Sequence, residues 1–304
     1  MRILGKTNID FMRGRRIWYG VSIAVILLGI TSLVMKGFDL GIDFLGGTEL
    51  IVHFKEPVAI GDVREALGKI GFGGAEIKTF GSDQDILIRT PVQGEGGSVS
   101  DQLQSGIKSA FATNPYEILR NDKIGPKIGA ELRRDAVYAI IASLIAIWFY
   151  IWLRFKFVYG FGAVVALFHD VLVTLGMVSI FDGILNLQID QNMVAAFLTI
   201  VGTSINDTVV IFDRIRENQK IFKTMPLKDL MNKSINETLS RTIITNGSIF
   251  TVLLILLIFG GEVNRGFAFA MTVGSIVGTY STVYIASSIV LEVVNRGKSQ
   301  GQFT

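Results

Sequence analysis

An aspartate inside an apolar stretch is the feature of this sequence most suited to chemistry. Asp207 lies in the run 203–208 (Thr-Ser-Ile-Asn-Asp-Thr), shortly before the chain becomes basic. A carboxylate at membrane depth costs about 2.5 to 3.5 kcal/mol on insertion scales, so such acids usually face a protein interior or an aqueous path. Because a carboxyl group can take up and release a proton, the residue indicates transport coupled to ions or protons.

Polar residues on two neighbouring apolar stretches fall at helical spacing. Thr203, Asp207 and Arg214 stand at i, i+4 and i+11, and Arg241 and Thr245 form a similar stripe at i and i+4. Antiparallel helices would place Asp207 and Arg241 in the same half of a membrane. We predict that Asp207 alternates between a deprotonated state paired with Arg241 and a protonated state that releases it. A static ion pair that fixes the helix register is the alternative.

A second polar pair, His169 and Asp170, falls near the middle of another apolar stretch. Such a pair is costly in lipid unless neighbouring groups satisfy it. Two interpretations remain open, a relay between the outer side and Asp207 or a structural polar contact between helices. The other polar residues assigned to either role are Thr203, Asn206 and Thr245.

Enzyme chemistry is the weaker interpretation of these acids. Asp170 and Asp207 could form a dyad that activates water, as in an aspartyl protease. The sequence lacks the Gly-x-Gly-Asp arrangement typical of intramembrane enzymes of that kind, and Arg241 would hold Asp207 charged. With no cysteine and two histidines, cysteine metal sites and thiol catalysis are excluded. We therefore predict no catalytic residues, no metal and no cofactor, with protons as the coupling ion.

Composition places these residues in a membrane protein. Half of the 304 residues are hydrophobic, and the mean hydropathy is 0.49. The first apolar stretch is too long for a signal peptide core and lacks a small-x-small cleavage site, so we predict a membrane helix there. Six segments can cross a hydrocarbon core of about 30 Å: 17–35, 136–153, 157–181, 193–212, 243–259 and 267–291.

Basic residues in the short connections predict the orientation. The connections that we assign to the cytoplasm hold 5, 2, 7 and 2 Lys and Arg, whereas the opposite connections, 182–192 and 260–266, hold none and one. This pattern predicts cytoplasmic termini and an extracytoplasmic segment 36–135. The net charge of +3 is then mainly a topology signal, and no nucleic-acid partner is expected. The cytoplasmic connections are 1–16, 154–156, 213–241 and 292–304.

The segment 36–135 alternates between strand and helix patterns. Strands are predicted at 48–54, 75–80, 85–90 and 116–120, with helices at 60–70 and 98–111. The order β-α-β-β-α-β is typical of the ferredoxin-like fold. The predicted fold class is an α-helical multi-pass membrane protein with six transmembrane helices and one extracytoplasmic α+β ferredoxin-like domain.

Two further patterns concern the helices themselves. Small residues recur at four-residue intervals along the sixth span, which predicts a packing seam for another helix of this chain or of a partner. Residues 226–240 show amphipathic spacing and predict a helix along the cytoplasmic face, as a mechanical element or a surface anchor. The seam consists of Gly266, Ala270, Gly274 and Gly278, continued by Thr282 and Ala286.

Four sequence motifs together identify a family. They are 41–48 (Gly-Ile-Asp-Phe-Leu-Gly-Gly-Thr), 168–170 (Phe-His-Asp), 206–218, which closes the fourth span, and 239–242 (Leu-Ser-Arg-Thr). From its beginning to about Asn295, the chain resembles the SecF family, the smaller subunit of the SecD-SecF protein-export factor.

The resemblance implies a specific function. It implies membership of the RND superfamily, pairing with SecD, and work beside the SecY-SecE-SecG translocon in the bacterial cytoplasmic membrane. The pair is expected to use the proton-motive force to help exported, unfolded polypeptides across, in contact with membrane lipids. The residues important in the family correspond to Asp207 and Arg241. An RND-type proton-coupled exporter of lipids or small solutes is the alternative.

Overall fold

The computed structural model describes residues 7–91 and 98–299, which divide into two compact units. Of the described residues, the helical unit contains 7–38, Ile140–Leu187 and 192–299. The sheet unit contains 39–91, 98–139 and the short segment Gln188–Gln191. The predicted terminal segments 1–16 and 292–304 fall partly outside the described residues.

Helices account for most of the described chain. In chain order they are α1 (Arg15–Lys36), α2 (Ile42–Leu45), α3 (Ile60–Lys69), α4 (Ser98–Ala110), α5 (Pro126–Arg154), α6 (Phe157–Leu185), α7 (Gln191–Ile221), α8 (Leu227–Phe259), α9 (Gly261–Ser281) and α10 (Ser287–Ser299). The π-helical turn Thr282–Ala286 joins α9 to α10. Among the described residues, six helical stretches are long and apolar enough to cross a membrane, as predicted.

One predicted pair of elements is a single helix. The segments 226–240 and 243–259 form the continuous helix α8, because no proline or glycine interrupts the chain between them. The apolar side of its first half packs against protein, since Leu230, Met231 and Ile235 are buried in the main hydrophobic cluster. The amphipathic pattern of 226–240 thus reflects packing against protein, which sequence periodicity cannot distinguish from packing against lipid.

Burial separates an inner from an outer set of spans in the helical unit. The apolar windows of α6, α7 and the Val263–Arg296 span are 50%, 50% and 61% buried, against 11% or less for α1, α5 and α8. Two glycines allow α1 to pack closely on α6. A Cβ atom added at Gly29 would lie 2.5 Å from the Cα atom of Gly176.

We predict that Gly29→Leu pushes α1 and α6 apart and destabilises the helical unit. Overpacking of this kind costs about 1 to 3 kcal/mol, so the unfolding midpoint of the detergent-solubilised protein should fall. Gly20→Leu on the same helix is the matched control, because a Cβ atom added there meets no atom within 4 Å. Equal midpoints for the two variants would contradict the prediction.

The sheet unit has the predicted ferredoxin-like topology. Its strands are β1 (Gly47–Phe54), β2 (Glu76–Phe80), β3 (Ser82–Thr90) and β4 (Tyr116–Ile124), in the antiparallel order β2-β3-β1-β4. Alternate residues of the sheet pack with Val63 and Leu67 of α3 and with Leu103 and Ile107 of α4 in one core. β3 begins earlier than predicted, because the connection from β2 is a tight turn at Gly81.

The two glycines at the start of β1 are required by the backbone. Gly46 and Gly47 have φ angles of 73° and 130°, which L side chains rarely adopt. A Cβ atom on Gly47 would also collide with the carbonyl oxygen of Thr90. The sequence prediction of a tight bend at this point therefore agrees with the backbone.

Candidate functional site

Asp207 lies on α7 and is 8% exposed. Its Oδ2 atom accepts a hydrogen bond of 2.5 Å from Nδ2 of Asn246 on α8. The same Nδ2 donates to Oγ1 of Thr279 on α9, at 2.8 Å. The amide of Asn246 thus links α7, α8 and α9. The group that contacts Asp207 directly is neutral.

The predicted ion pair between Asp207 and Arg241 is not formed in this structure. No nitrogen of Arg241 lies within 4.0 Å of the carboxylate, and the arginine side chain is exposed in this chain, although its charge still acts favourably on Asp207. The reason is the rotation of α8 about its own axis. At the level of Asp207 this helix presents Asn246, whereas Thr245 and Arg241 point outward.

Asp207 lines a small cleft between α7, α8 and α9. Hydroxyl, amide and carboxyl groups make up much of its wall, so a water molecule or proton donor beside the acid would find hydrogen-bond partners. The lining residues are Thr203, Ser204, Asp207, Asn246, Ile249, Met271, Gly274, Ser275, Gly278 and Thr279.

The predicted pair His169 and Asp170 forms a second buried polar cluster. The Nδ1 atom of His169 lies 2.9 Å from Oδ1 of Asp170. Its Nε2 atom lies 2.8 Å from Oγ of Ser22 and 3.0 Å from the hydroxyl of Tyr280. Both ring nitrogens therefore have partners, which satisfies the requirement that buried polar groups be hydrogen-bonded.

The second oxygen of Asp170 accepts two hydroxyl hydrogen bonds. Ser204 on α7 donates at 2.5 Å and Ser281 on α9 donates at 2.8 Å. Ser204 precedes Asp207 by three residues, so the two side chains lie about one helical turn apart and line the same cleft. Ser204 therefore contacts Asp170 and shares a cleft with Asp207.

The two acids do not form a dyad. A shared proton requires direct contact between carboxyl groups. Asp170 bonds His169, Ser204 and Ser281, whereas Asp207 bonds Asn246. The geometry gives the protease hypothesis no support.

The small-residue seam packs against α7 of the same chain. Atoms added at Gly274 and Gly278 would contact Ile200 and Ser204, and Thr282 lies 3.1 Å from the hydroxyl of Thr208. The contacts therefore recur every four residues on both helices, which run in the same direction. Of the other predicted members, Ala270 and Ala286 are fully buried and Gly266 is partly buried.

The π-helical turn Thr282–Ala286 lies directly beside the second cluster. The backbone N–H of Ser287 bonds the carbonyl of Thr282, which inserts one extra residue into the turn. Such turns are frequent at functional sites because they alter which side chains face a neighbour. Immediately before the turn, Ser281 bonds Asp170, and at its start Thr282 contacts Thr208.

Comparison with known protein families identifies the chain. The profile of the protein export membrane proteins SecD and SecF, C-terminal region, matches residues 105–296, and the SecD/SecF GG motif matches residues 31–58. The chain belongs to the SecD/SecF family. The GG motif match contains Gly46 and Gly47, the two glycines that the bend before β1 requires.

Relatives of the SecF type match almost the whole chain. The protein translocase subunit SecF of Rhodothermus marinus is 47% identical over 303 residues, covering 99% of this chain and 98% of the relative. The corresponding subunit of Thermodesulfovibrio yellowstonii is 44% identical over 296 residues, covering 96% of each. The resemblance to SecF is therefore confirmed, and a role in protein export with it.

Solved SecDF structures share the fold. SecDF from Thermus thermophilus, a translocon-associated membrane protein, matches with a TM-score of 0.84 and 36% identity over 95% of this chain. A super-membrane-facing form of SecDF matches with a TM-score of 0.71 over 98% of this chain. This chain spans 39% and 40% of the length of those two SecDF chains.

Four site residues were missed by sequence reasoning. Asn246, Ser22, Tyr280 and Ser281 are polar residues in apolar spans, which is the signal that could have singled them out. Their side-chain partners lie between 33 and 258 positions away in the chain, as for Asn246 with Thr279 and Ser22 with Tyr280. Spacing within one helix carries no information on such pairs.

Proposed function

We propose that the chain acts as the SecF-type subunit of a SecDF protein-export factor. It works with SecD in the bacterial cytoplasmic membrane and uses the proton-motive force to assist the translocation of polypeptides. The observation that carries this proposal is the environment of Asp207, a buried acid whose direct partner is a neutral amide, with an arginine on the neighbouring helix α8 that is not paired with it.

This environment suits an acid that exchanges a proton. An amide offers donors and an acceptor, so Asn246 can bond the carboxylate and, after rotation, the protonated acid. Asp207 therefore keeps a hydrogen-bond partner in either protonation state. A charge that crosses 100 mV of membrane potential releases about 2.3 kcal/mol, which shifts a two-state equilibrium roughly fiftyfold. One proton per cycle would therefore suffice to move spans α7 and α8 between two arrangements.

SecD is the proposed partner at the outer face of α7 and α8. Thr203, Asn206, Arg241 and Thr245 are exposed in this chain although they lie in or at the edge of spans. Polar groups are costly against lipid, so cover by another membrane subunit is favoured. The solved SecDF chains are more than twice as long as this one.

The remaining partners follow from the same proposal. They are the SecY-SecE-SecG translocon, the exported unfolded polypeptide and the surrounding lipids, with protons as the coupling ion and neither cofactor nor catalytic residue. The distribution of basic residues favours cytoplasmic termini and an outward-facing sheet unit. Near full-length similarity to SecF subunits favours this function over export of lipids or small solutes.

Ser204 is proposed to relay protons between the His169–Asp170 cluster and Asp207. Its hydroxyl bonds Asp170 and lines the cleft beside Asp207. A hydroxyl group can accept a proton on one lone pair while it donates its own, so it can connect two acids that do not touch.

We predict that Ser204→Ala slows proton-dependent export about fivefold, the effect of losing one hydrogen bond worth about 1 kcal/mol. The dependence of export on external pH should change as well, because proton transfer is impaired. Ser248→Ala is the control, since Ser248 is exposed and bonds only the Ile244 carbonyl of its own helix. An unchanged pH profile for Ser204→Ala would assign the cluster a purely structural role.

The proposed function is tested by export of a secreted protein into membrane vesicles that contain the chain. Export is measured at two external pH values, with and without an uncoupler, together with co-purification of SecD. We expect the rate to fall when the proton gradient is abolished and SecD to be retained. Export that is insensitive to the gradient, or purification without SecD, would refute the proposal.

A further inference from the structure

The segment 9–12 (Ile-Asp-Phe-Met) packs on the first half of α8, and both belong to the helical unit. Two asparagines of α8 make the contact. The Nδ2 atom of Asn236 donates to the carbonyl of Ile9 at 2.9 Å, and its Oδ1 atom accepts from the N–H of Ile9 at 3.0 Å. The Oδ1 atom of Asn232 accepts from the N–H of Met12 at 3.0 Å. The two amides thus bind the backbone of the segment directly.

Asp10 adds a charge to this contact. Its Oδ1 atom accepts from Nδ2 of Asn232 at 2.7 Å, and its Oδ2 atom accepts from Nζ of Lys228 at 3.2 Å. The hydrogen bond from Asn232 is the main cause that holds the pKa of Asp10 below its ordinary value. Lys228, Asn232 and Asn236 stand at four-residue steps, so one stripe of α8 binds the segment over two turns.

The segment is itself anchored in the core of the helical unit. Met12 is 0% exposed and Phe11 is 8% exposed, and both belong to the main hydrophobic cluster. The hydroxyl of Ser288 on α10 donates to Sδ of Met12 at 3.8 Å, and the ring of Phe11 contacts that of Tyr284 edge-on. The segment 9–12 is therefore a fixed surface against which α8 is held.

Helix α7 holds α8 from the opposite side. Asn218, which is 1% exposed, donates from Nδ2 to Oγ of Ser234 at 2.9 Å and to Oε2 of Glu237 at 2.8 Å. Ser234 and Glu237 follow Asn232 by two and five positions, which places them across the helix, because successive residues are about 100° apart. A helix bound on one side can roll on that contact, whereas a helix bound on two sides has a fixed rotation.

The rotation of α8 determines which residue faces Asp207. Asn246 follows Asn232 by fourteen positions, about four turns, so the two amides lie on nearly the same side of α8. Arg241 follows Asn232 by nine positions, about two and a half turns, and lies on the opposite side. Because α8 is one continuous helix, its rotation beside the segment 9–12 is carried to the level of the buried acid.

We propose that the segment 9–12 fixes the rotation of α8 and thereby keeps Asn246, rather than Arg241, beside Asp207. Asn232 and Asn236 are positioning residues, which act on the buried acid through the helix that they share with Asn246. The alternative is that the contacts with α7 fix the rotation alone and the segment adds only stability. The effect on export rests on the proposed function, whereas the rotation of α8 can be measured without it.

Introduced cysteines report the rotation, because the chain contains none of its own. Thr238 is 9% exposed, and its hydroxyl donates to two carbonyls of its own helix, so Thr238→Cys changes contacts within α8. In the detergent-solubilised full chain, we expect Asn232→Ala with Asn236→Ala to speed labelling of this cysteine by a water-soluble maleimide about tenfold, the effect of a few lost hydrogen bonds.

Two controls separate rotation from a general loss of structure. Asn264→Ala removes an exposed amide that donates to the carbonyl of Gly260, and it should leave the labelling of Thr238→Cys unchanged. Ser287 is 0% exposed and lies outside α8. In the Asn232→Ala, Asn236→Ala background, Ser287→Cys should stay unlabelled. Faster labelling at both positions would show that the helical unit loosens as a whole, and would overturn the proposal.

The functional measurement is the ratio of export with and without a proton gradient, by the full chain in vesicles. A contact that only stabilises the fold would leave this ratio unchanged. We expect Asn232→Ala with Asn236→Ala to lower it about fivefold, the lower range of typical coupling between sites, because Asp207 loses its amide partner. Asp10→Asn, which weakens the contact with Lys228, should have a smaller effect in the same direction.

The outcomes separate the two proposals. Unchanged labelling of Thr238→Cys, or faster labelling with an unchanged export ratio, refutes the positioning role and leaves the proton site intact. If Asp207→Asn has no effect on gradient-dependent export, the proposed function fails. The labelling rates then still decide whether the segment 9–12 fixes the rotation of α8.

Discussion

Asp207→Asn is expected to abolish the proton-dependent part of export while the protein still folds. Asparagine keeps the size of the side chain and can still bond Asn246, but it cannot take up a proton. At 100 mV the lost driving force is about 2.3 kcal/mol per proton, so the gradient-driven rate should fall by up to roughly fiftyfold. The measurement is export at two external pH values, where the wild type responds and the variant gives equal rates.

The control for this prediction is Asp229→Asn on α8. Asp229 is exposed, so Asp229→Asn removes the same negative charge but leaves the buried site around Asp207 unchanged. Arg241→Met should also lower the export rate, because it removes the cation that was predicted to pair with Asp207. Full pH sensitivity in Asp207→Asn would contradict the assignment of the proton site.

Arg89→Met is expected to have the largest effect on stability. Removal of the guanidinium leaves the carboxylate of Glu49 buried without a counter-charge, and breaking a buried pair in this way costs about 3 to 5 kcal/mol. Amide hydrogen exchange of β1 and β3 in the full chain measures the loss, because those strands contain both members of the pair. Exchange there should become markedly faster.

Two further variants test the reason for that effect. Replacing both partners, Arg89→Met with Glu49→Leu, should recover much of the protection, since no buried charge remains. Lys69→Met breaks an exposed i, i+4 pair with Glu65 and should change stability by less than about 1 kcal/mol. Similar exchange rates for Arg89→Met and Lys69→Met would show that the buried pair contributes little.

The elements that sequence reasoning predicted well are those with strong local patterns. The strand alternation around Leu50 and Ile86 and the helical spacing of Val63 and Leu67 define the β-α-β-β-α-β order without tertiary information. The six spans follow from length and hydropathy alone. The predicted helix boundaries were less accurate, because α5 and α7 extend into polar residues that the hydrophobic pattern assigned to the connections.

The contacts of the site were predicted less well, for a physical reason. Helical spacing places Arg241 and Thr245 on one stripe of α8, but which stripe faces α7 depends on helix rotation. That rotation is set by packing elsewhere, so Asn246 contacts Asp207 instead. His169 and Asp170 were singled out by the cost of burying them, whereas their partners Ser22 and Ser281 come from other spans, and spacing within one helix cannot pair them with the cluster.

The four-residue repeat shared by α7 and α9 has a mechanical consequence. A shift of α9 by four residues, about 6 Å along its neighbour, would bring Gly274 opposite Ser204 and leave small residues at the contact. The hydroxyl contacts of Ser281 with Asp170 and of Thr282 with Thr208 would have to break. The two helices therefore have two alternative packing positions four residues apart, and the hydrogen bond from Ser281 to Asp170 on α6 holds them in the present one.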